Sequence, residues 1–201
     1  METISFSDAF KYPFKTPKRL LYALWLIIPI LGWFALFGYI VRLVNEFVEG
    51  RYEGLIKLDF MEDLKLGFIT FLKGLPFYIA YMAIVFAATF VSETLGNLVN
   101  LLLGFFVVPI LVVNFFRKQT LESFFEFQLL DIVRDNLGDY VIAVLKQYAL
   151  VIIFAILSIV LVGIPAMFFT NSIFIANFYG RLVEQKRTLA LKTQSKDPLT
   201  V

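Results

Sequence analysis

Cysteine and histidine are both absent from the 201 residues. Without Cys there is no disulfide, no iron–sulfur ligation and no thiol nucleophile, and nothing in the chain reports the redox compartment. Without His the commonest proton shuttle and metal ligand is missing. Charge is scarce too: Asp, Glu, Lys and Arg make up 17% of the chain, against about 25% in a typical soluble domain. Eighteen Lys and Arg nearly balance sixteen Asp and Glu, so no field draws nucleic acid. Neither a phosphate loop nor a nucleophile–base pair occurs. The expectation is a protein that is not an enzyme and takes no cofactor or metal.

What is present is apolar. Hydrophobic residues account for 60% of the chain, with twenty-four Phe and a mean hydropathy of +0.81, well beyond the usual near-half of a soluble domain. This composition predicts an integral membrane protein, and the length suits a single membrane domain. Nineteen largely polar residues precede the first apolar block, and no small-x-small cleavage site follows a short core. The first block is therefore expected to stay in the mature protein.

Uncharged residues fall into four blocks, at 20–41, 74–92, 94–116 and 147–180. The last has thirty-four residues, roughly 51 Å of helix against a ~30 Å hydrocarbon core. It cannot be one straight span, and Gly163 and Pro165 at its centre predict a fold back, with that break buried against protein. Block one carries Pro29 and Gly32 at its middle. It reads either as a second hairpin or as one kinked span, and either way its break should face protein, because a proline leaves a carbonyl unpaired. Blocks two and three suit ordinary crossings joined by a tight turn at Glu93.

Between the blocks lie amphipathic stretches. Over 55–73, Met61, Leu64, Phe68 and Leu72 oppose Asp59, Glu62, Asp63 and Lys73; over 119–135, Leu121, Phe124, Phe125, Leu129, Ile132 and Val133 oppose Glu122, Glu126, Asp131 and Asp135. Each reads as a helix on the membrane surface. Residues 1–19 form a cationic approach in which Phe6, Phe10 and Phe14 suggest a short interfacial helix. After Gly180 the tail 181–201 turns polar, with disorder expected from Thr193.

The cations choose between topologies. Four single crossings would leave nine Lys and Arg on each side, whereas folding back blocks one and four puts all eighteen on one face. Short loops normally show a positive-inside bias. The predicted fold is therefore an all-α integral membrane protein: two central transmembrane helices flanked by two Pro/Gly-broken helical hairpins, plus amphipathic interfacial helices. It is placed in the plasma membrane with both termini cytoplasmic.

Three groups of residues are candidates for function. Glu93, Asn97 and Asn100, followed by Gly104, share one stripe of block three and would either line a solute path or act as helix-packing glue, with Gly104 allowing close approach. Asn114, Asn171 and Asn177 form a looser polar set that could satisfy backbone freed at the breaks. Lys15, Lys18, Arg19, Lys186 and Arg187 could contact anionic lipid heads or simply snorkel.

The segments AFKYPFKTPKRLL, IPILGWFALFGYIVRL, VNEFVEG, LESFFEFQLLDIVRDNLGDYVIAVL and ANFYGRL resemble the prokaryotic membrane family known as domain of unknown function 4013, from about Phe6 to Val183. The resemblance implies a multi-pass membrane protein and carries no activity, cofactor or site residue. Two functions stay open. One is a non-catalytic scaffold or subunit whose cytoplasmic face docks a protein partner, a second copy or lipid, with bilayer bending by its one-sided hairpins as a related role; the other is a small transporter or channel using the Glu93 stripe.

Overall fold

The computed structural model describes residues 1–184 and Lys186. The described residues are helical, with no strand among them. A short helix α1 (Phe6–Lys11) leads through a 3₁₀ turn into an eleven-residue 3₁₀ helix, Pro17–Ile27, and then into α2 (Leu31–Val48). Next come α3 (Phe60–Val91), α4 (Glu93–Leu102), a π-helical turn at Leu103–Val107 and α5 (Val108–Lys118). A 3₁₀ turn at Leu121–Phe125, α6 (Leu129–Asp135), α7 (Leu137–Leu157), a 3₁₀ turn at Ser158–Val160, α8 (Gly163–Phe169), α9 (Ile173–Tyr179) and a π-helical turn at Gly180–Glu184 follow. Four helices are long and apolar enough to cross a membrane: Leu31–Val48, Phe60–Val91, Glu93–Lys118 and Leu137–Leu157.

The core is built where backbones approach closely. Antiparallel α2 and α3 cross at Gly38 and Gly67; a Cβ on Gly38 would lie 1.9 Å from the Asp63 carbonyl oxygen, and one on Gly67 1.8 Å from that of Phe34. No side chain but hydrogen fits there. One turn along, Arg42 grips Asp63 through two parallel bonds, Nε to Oδ1 at 2.6 Å and Nη2 to Oδ2 at 2.7 Å. Asp63 is wholly buried and also accepts the Asp59 amide at 2.9 Å.

Helix α3 is continuous over 32 residues, about 48 Å. The amphipathic stretch and the second block are thus one helix rather than a surface helix followed by a span. Its faces are reversed relative to a soluble protein: Met61, Phe68 and Leu72 point outward, while Asp63, Gly67 and Thr70 pack inward. Asp63, expected on a solvated face, is instead part of the core. Small and polar residues inside with apolar residues outside is the pattern of helices packed within lipid.

The stretch expected as one surface helix over 119–135 is two short pieces. Gln119 takes a left-handed conformation (φ 56°) and ends α5, and Thr70 and Lys73 of α3 bind its side-chain and backbone oxygens at 2.8 and 2.7 Å. The π turn has a local cause. Pro109 has no N–H to give and its ring crowds the carbonyl four residues back, that of Phe105. Tyr140 of α7 donates its hydroxyl to the Phe105 and Phe106 carbonyls at 3.2 and 3.4 Å.

Candidate functional site: two hairpin tips and a polar clamp

Block one turns back on itself. Trp25 of the 3₁₀ helix lies against Gly32, whose Cβ would stand 1.8 Å from the Trp25 carbonyl oxygen. Trp33 Nε1 donates to the Leu26 carbonyl at 3.0 Å, and the Tyr22 and Tyr39 rings meet edge to face at 5.8 Å. The turn is tight: the Leu31 amide bonds to the Pro29 carbonyl at 2.8 Å across Ile30, held at φ 66° and ψ −69°. That is a strained γ-turn. Pro29 is exposed rather than facing protein, because the turn satisfies its own backbone: Gly32 and Phe34 amides bond to Ile28 and Ile30 carbonyls at 3.1 and 3.0 Å. The Trp25 carbonyl, four residues before Pro29, accepts the Ile28 amide at 3.0 Å.

Block four also doubles back, α7 lying antiparallel to α8 and α9. The tip is Ser158–Val162, where Leu161 adopts φ 61°. Pro165 does not make the break, since it sits in the first turn of α8, where no intrahelical donor is required. Of the expected buried break, Gly163 is buried against the Phe154 carbonyl, Pro165 is half-buried and Ile164 is exposed. A second interruption falls at 170–172, where no proline or glycine marks it and Ser172 adopts φ 65°. Gln147, midway along α7, repairs it by donating to the Thr170 carbonyl at 3.2 Å and accepting the Phe174 amide at 3.3 Å.

The two tips stand side by side. Between them runs an apolar groove of about 620 Å³, walled by Leu20, Ala23 and Leu26 on one side and Leu161, Val162 and Pro165 on the other. Leu24, Ile27, Ile30, Ile159 and Leu161 are each more than half exposed. Three of the hairpin legs are bounded by charge: Arg19 to Ile27 is about 16 Å of 3₁₀ helix, while Leu31 to Arg42 and Lys146 to Leu157 are each about 17 Å of α-helix. One hydrocarbon leaflet is about 15 Å, half of the ~30 Å core. By contrast, Lys73 to Val91 gives α3 about 27 Å without a charge, close to a full crossing.

At the charged end, hydrogen bonds clamp the helices. Asn45 donates to the Phe116 carbonyl at 3.1 Å, and Arg117 bridges to Glu49 at 2.7 Å, while Arg51 pairs with both Glu46 and Glu49. Burial of the Glu49 carboxyl works against its ionisation, but the hydrogen bond from Arg117 and the charges of Arg51 and Arg117 prevail, so its pKa lies below the usual value. Asn177 donates to Tyr52 Oη at 2.9 Å and to the Glu2 carbonyl at 3.0 Å, and accepts the Ile4 amide at 3.4 Å. The Tyr52 hydroxyl is pushed up to about 12 by burial, partly offset by the Asn177 bond and the Arg181 charge.

The three candidate groups are dispersed. Glu93, Asn97 and Asn100 are exposed on α4, and Asn100 accepts a hydrogen bond from Tyr81 of α3, a bond across helices of the kind expected of packing glue. They line neither the groove between the tips nor the 580 Å³ apolar cleft between α3 and α5. Gly104, expected to allow close packing, faces open space. Asn114 and Asn177 tie loops rather than breaks: Asn114 donates to the Ser123 carbonyl and accepts the Tyr179 hydroxyl, both at 2.6 Å. Of the basic set, Lys15 donates to the Tyr52 carbonyl at 2.7 Å and Arg19 to that of Leu55. Lys18 and Lys186 are exposed, and Arg187 lies outside the described residues.

Arg42, Gln147 and Asn45 carry no role in the sequence reading, and Asp63 is read there on a solvated face rather than in the core. For Gln147 the one signal available was position, an amide opening a long uncharged block, which in lipid finds a polar partner. Among the described residues no three Asp, Glu, His or Cys gather in a geometry that could hold a metal.

Neither the curated proteins nor the solved structures contain a match to the chain. A family model does match, over residues 21–166, a stretch from the first hairpin to the first turn of α8 that covers well over half of the molecule. The chain belongs to that family, whose description is a protein of unknown function (DUF4013).

Proposed function

We propose that this protein is a non-catalytic membrane scaffold that crosses the bilayer with α3 and the α4–α5 pair and sinks two half-depth hairpins into the cytoplasmic leaflet. The observation that carries this reading is the match of three hairpin legs, about 16 to 17 Å from tip to first charge, to the thickness of one leaflet. Exposed Leu and Ile at both tips supply the apolar surface that insertion requires. Volume added to one leaflet and not the other expands that leaflet, so the scaffold favours membrane curved towards the cytoplasm. The wide charged end, bearing Glu46, Glu49, Arg51, Glu53 and Lys57, remains in water to dock a protein partner or a second copy.

Impermeant thiol labelling on intact cells tests the topology, helped by the lack of native cysteine. Glu93→Cys should label from outside, whereas Thr3→Cys, Glu53→Cys, Ile28→Cys and Ile159→Cys should not. Outside labelling at Ile28→Cys or Ile159→Cys would show hairpins that cross fully and would remove the leaflet wedge. Vesicles reconstituted at high protein density should narrow into tubes, and Ile28→Asn with Ile159→Asn should suppress this. Vesicles of unchanged shape would leave a scaffold without a bending role.

A further inference from the structure

We propose that the groove between the hairpin tips is a binding site for one anionic phospholipid, with an acyl chain lying in the groove and the phosphate on Lys18. The inference rests on the half-depth hairpins proposed above and names what they hold. Its basis is the 3₁₀ geometry of Pro17–Ile27. With three residues per turn, side chains three apart eclipse, so Lys18, Leu21, Leu24 and Ile27 form one straight row instead of spiralling. All four are exposed, and Leu21, Leu24 and Ile27 line the groove together with Leu161, Val162 and Ile164 from the other hairpin.

The row is about 18 Å long, nine steps from Lys18 to Ile27 at about 2.0 Å each, so it runs from the charged level to the depth of the tips. A cation at the head and apolar side chains below it complement an amphiphile with one negative group and one chain. The surroundings favour the same sign. No Asp or Glu occurs between Asp8 and Glu46, while the Lys15 and Arg19 side chains, held by the Tyr52 and Leu55 carbonyls, flank Lys18. Glu46 and Glu53 share a separate recess with Arg19 and Arg51. Lys18 is thus the cation of this cluster left open to a phosphate.

The full chain is reconstituted in phosphatidylcholine vesicles containing phosphatidylglycerol with a diazirine on one acyl chain, irradiated and mapped by mass spectrometry. Crosslinks should concentrate at 21–27 and 161–165, several-fold over the outer face of α3 at Phe86 and Phe90. Lys18→Ala should lower groove labelling about fivefold, the factor implied by about 1 kcal/mol per surface cation, and Lys18→Arg should restore it. Ala23→Trp should block the groove with Lys18 intact. Labelling spread evenly over all outer faces, or equal labelling by a phosphatidylcholine probe with no effect of Lys18→Ala, would mean ordinary surrounding lipid and would overturn the site. Thiol labelling of Ile28→Cys in the same vesicles reports hairpin depth independently, so the two readings fail separately.

Discussion

Asp63 has no exposed surface, and its two oxygens are held by Arg42. Removing one member of such a pair strands the other in a medium that cannot solvate it. Arg42→Ala should therefore cost about 3–5 kcal/mol, read as a large drop in the melting temperature of the detergent-solubilised protein. Arg42→Met combined with Asp63→Leu should recover most of that loss, short of the bond the Asp59 amide gives up. Glu49 behaves differently because water reaches it. Its pKa is depressed in the folded state, so its contribution is complete above the unfolded value near 4.3 and is lost as pH falls through the lower, folded value. Thermal stability should stay level from pH 7 to about 5 in this respect and then decline; Glu49→Gln should flatten that decline, and an unchanged acid slope would show that the Arg117 bridge contributes nothing.

Close helix approach is specific to particular glycines, and substitution separates them. A methyl at Gly38 would meet the Asp63 carbonyl at 1.9 Å, whereas one at Gly138 in the first turn of α7 meets nothing within 4 Å. Gly38→Ala should destabilise by at least about 1–3 kcal/mol by overpacking, and Gly138→Ala should be neutral or stabilising by up to about 1 kcal/mol; chemical unfolding of both variants checks the contrast. The helical class and the doubling back of block four were legible because thirty-four uncharged residues are simply too long. The tip was not. Proline marks only a missing donor, and Pro165 sits where none is required, while the reversal is made by Leu161, a residue type that advertises nothing. The continuity of α3 was hidden for the opposite reason: Gly74 and Pro76 look like breaks, yet the helix runs through both. As for the site, Lys18 was legible as a cation, but its separation from Lys15 and Arg19 depends on which carbonyls those two reach. That is tertiary information.

Taken whole, the molecule is closed by hydrogen bonds between residues 2–4 and α9. Asn177 holds the backbone at Glu2 and Ile4 and the hydroxyl of Tyr52. Asn177→Ala should free the segment ahead of α1, raising its rate of limited proteolysis while leaving the α2–α3 crossing intact; protection equal to the parent would show that Phe6 stacked on Phe174 at 6.0 Å suffices. The same bonds have a consequence in time. The residues they join are 173 and 175 apart in the chain, a separation that takes of order ten to thirty-five seconds to synthesise at 5–20 residues per second. Throughout that interval residues 2–4 lack this anchor, whereas Lys15 and Arg19 need only the carbonyls of Tyr52 and Leu55, made about 120 residues before Asn177. The lock on residues 2–4 is set only when α9 arrives, so the segment ahead of α1 is the last part of the N-terminal region to be fixed.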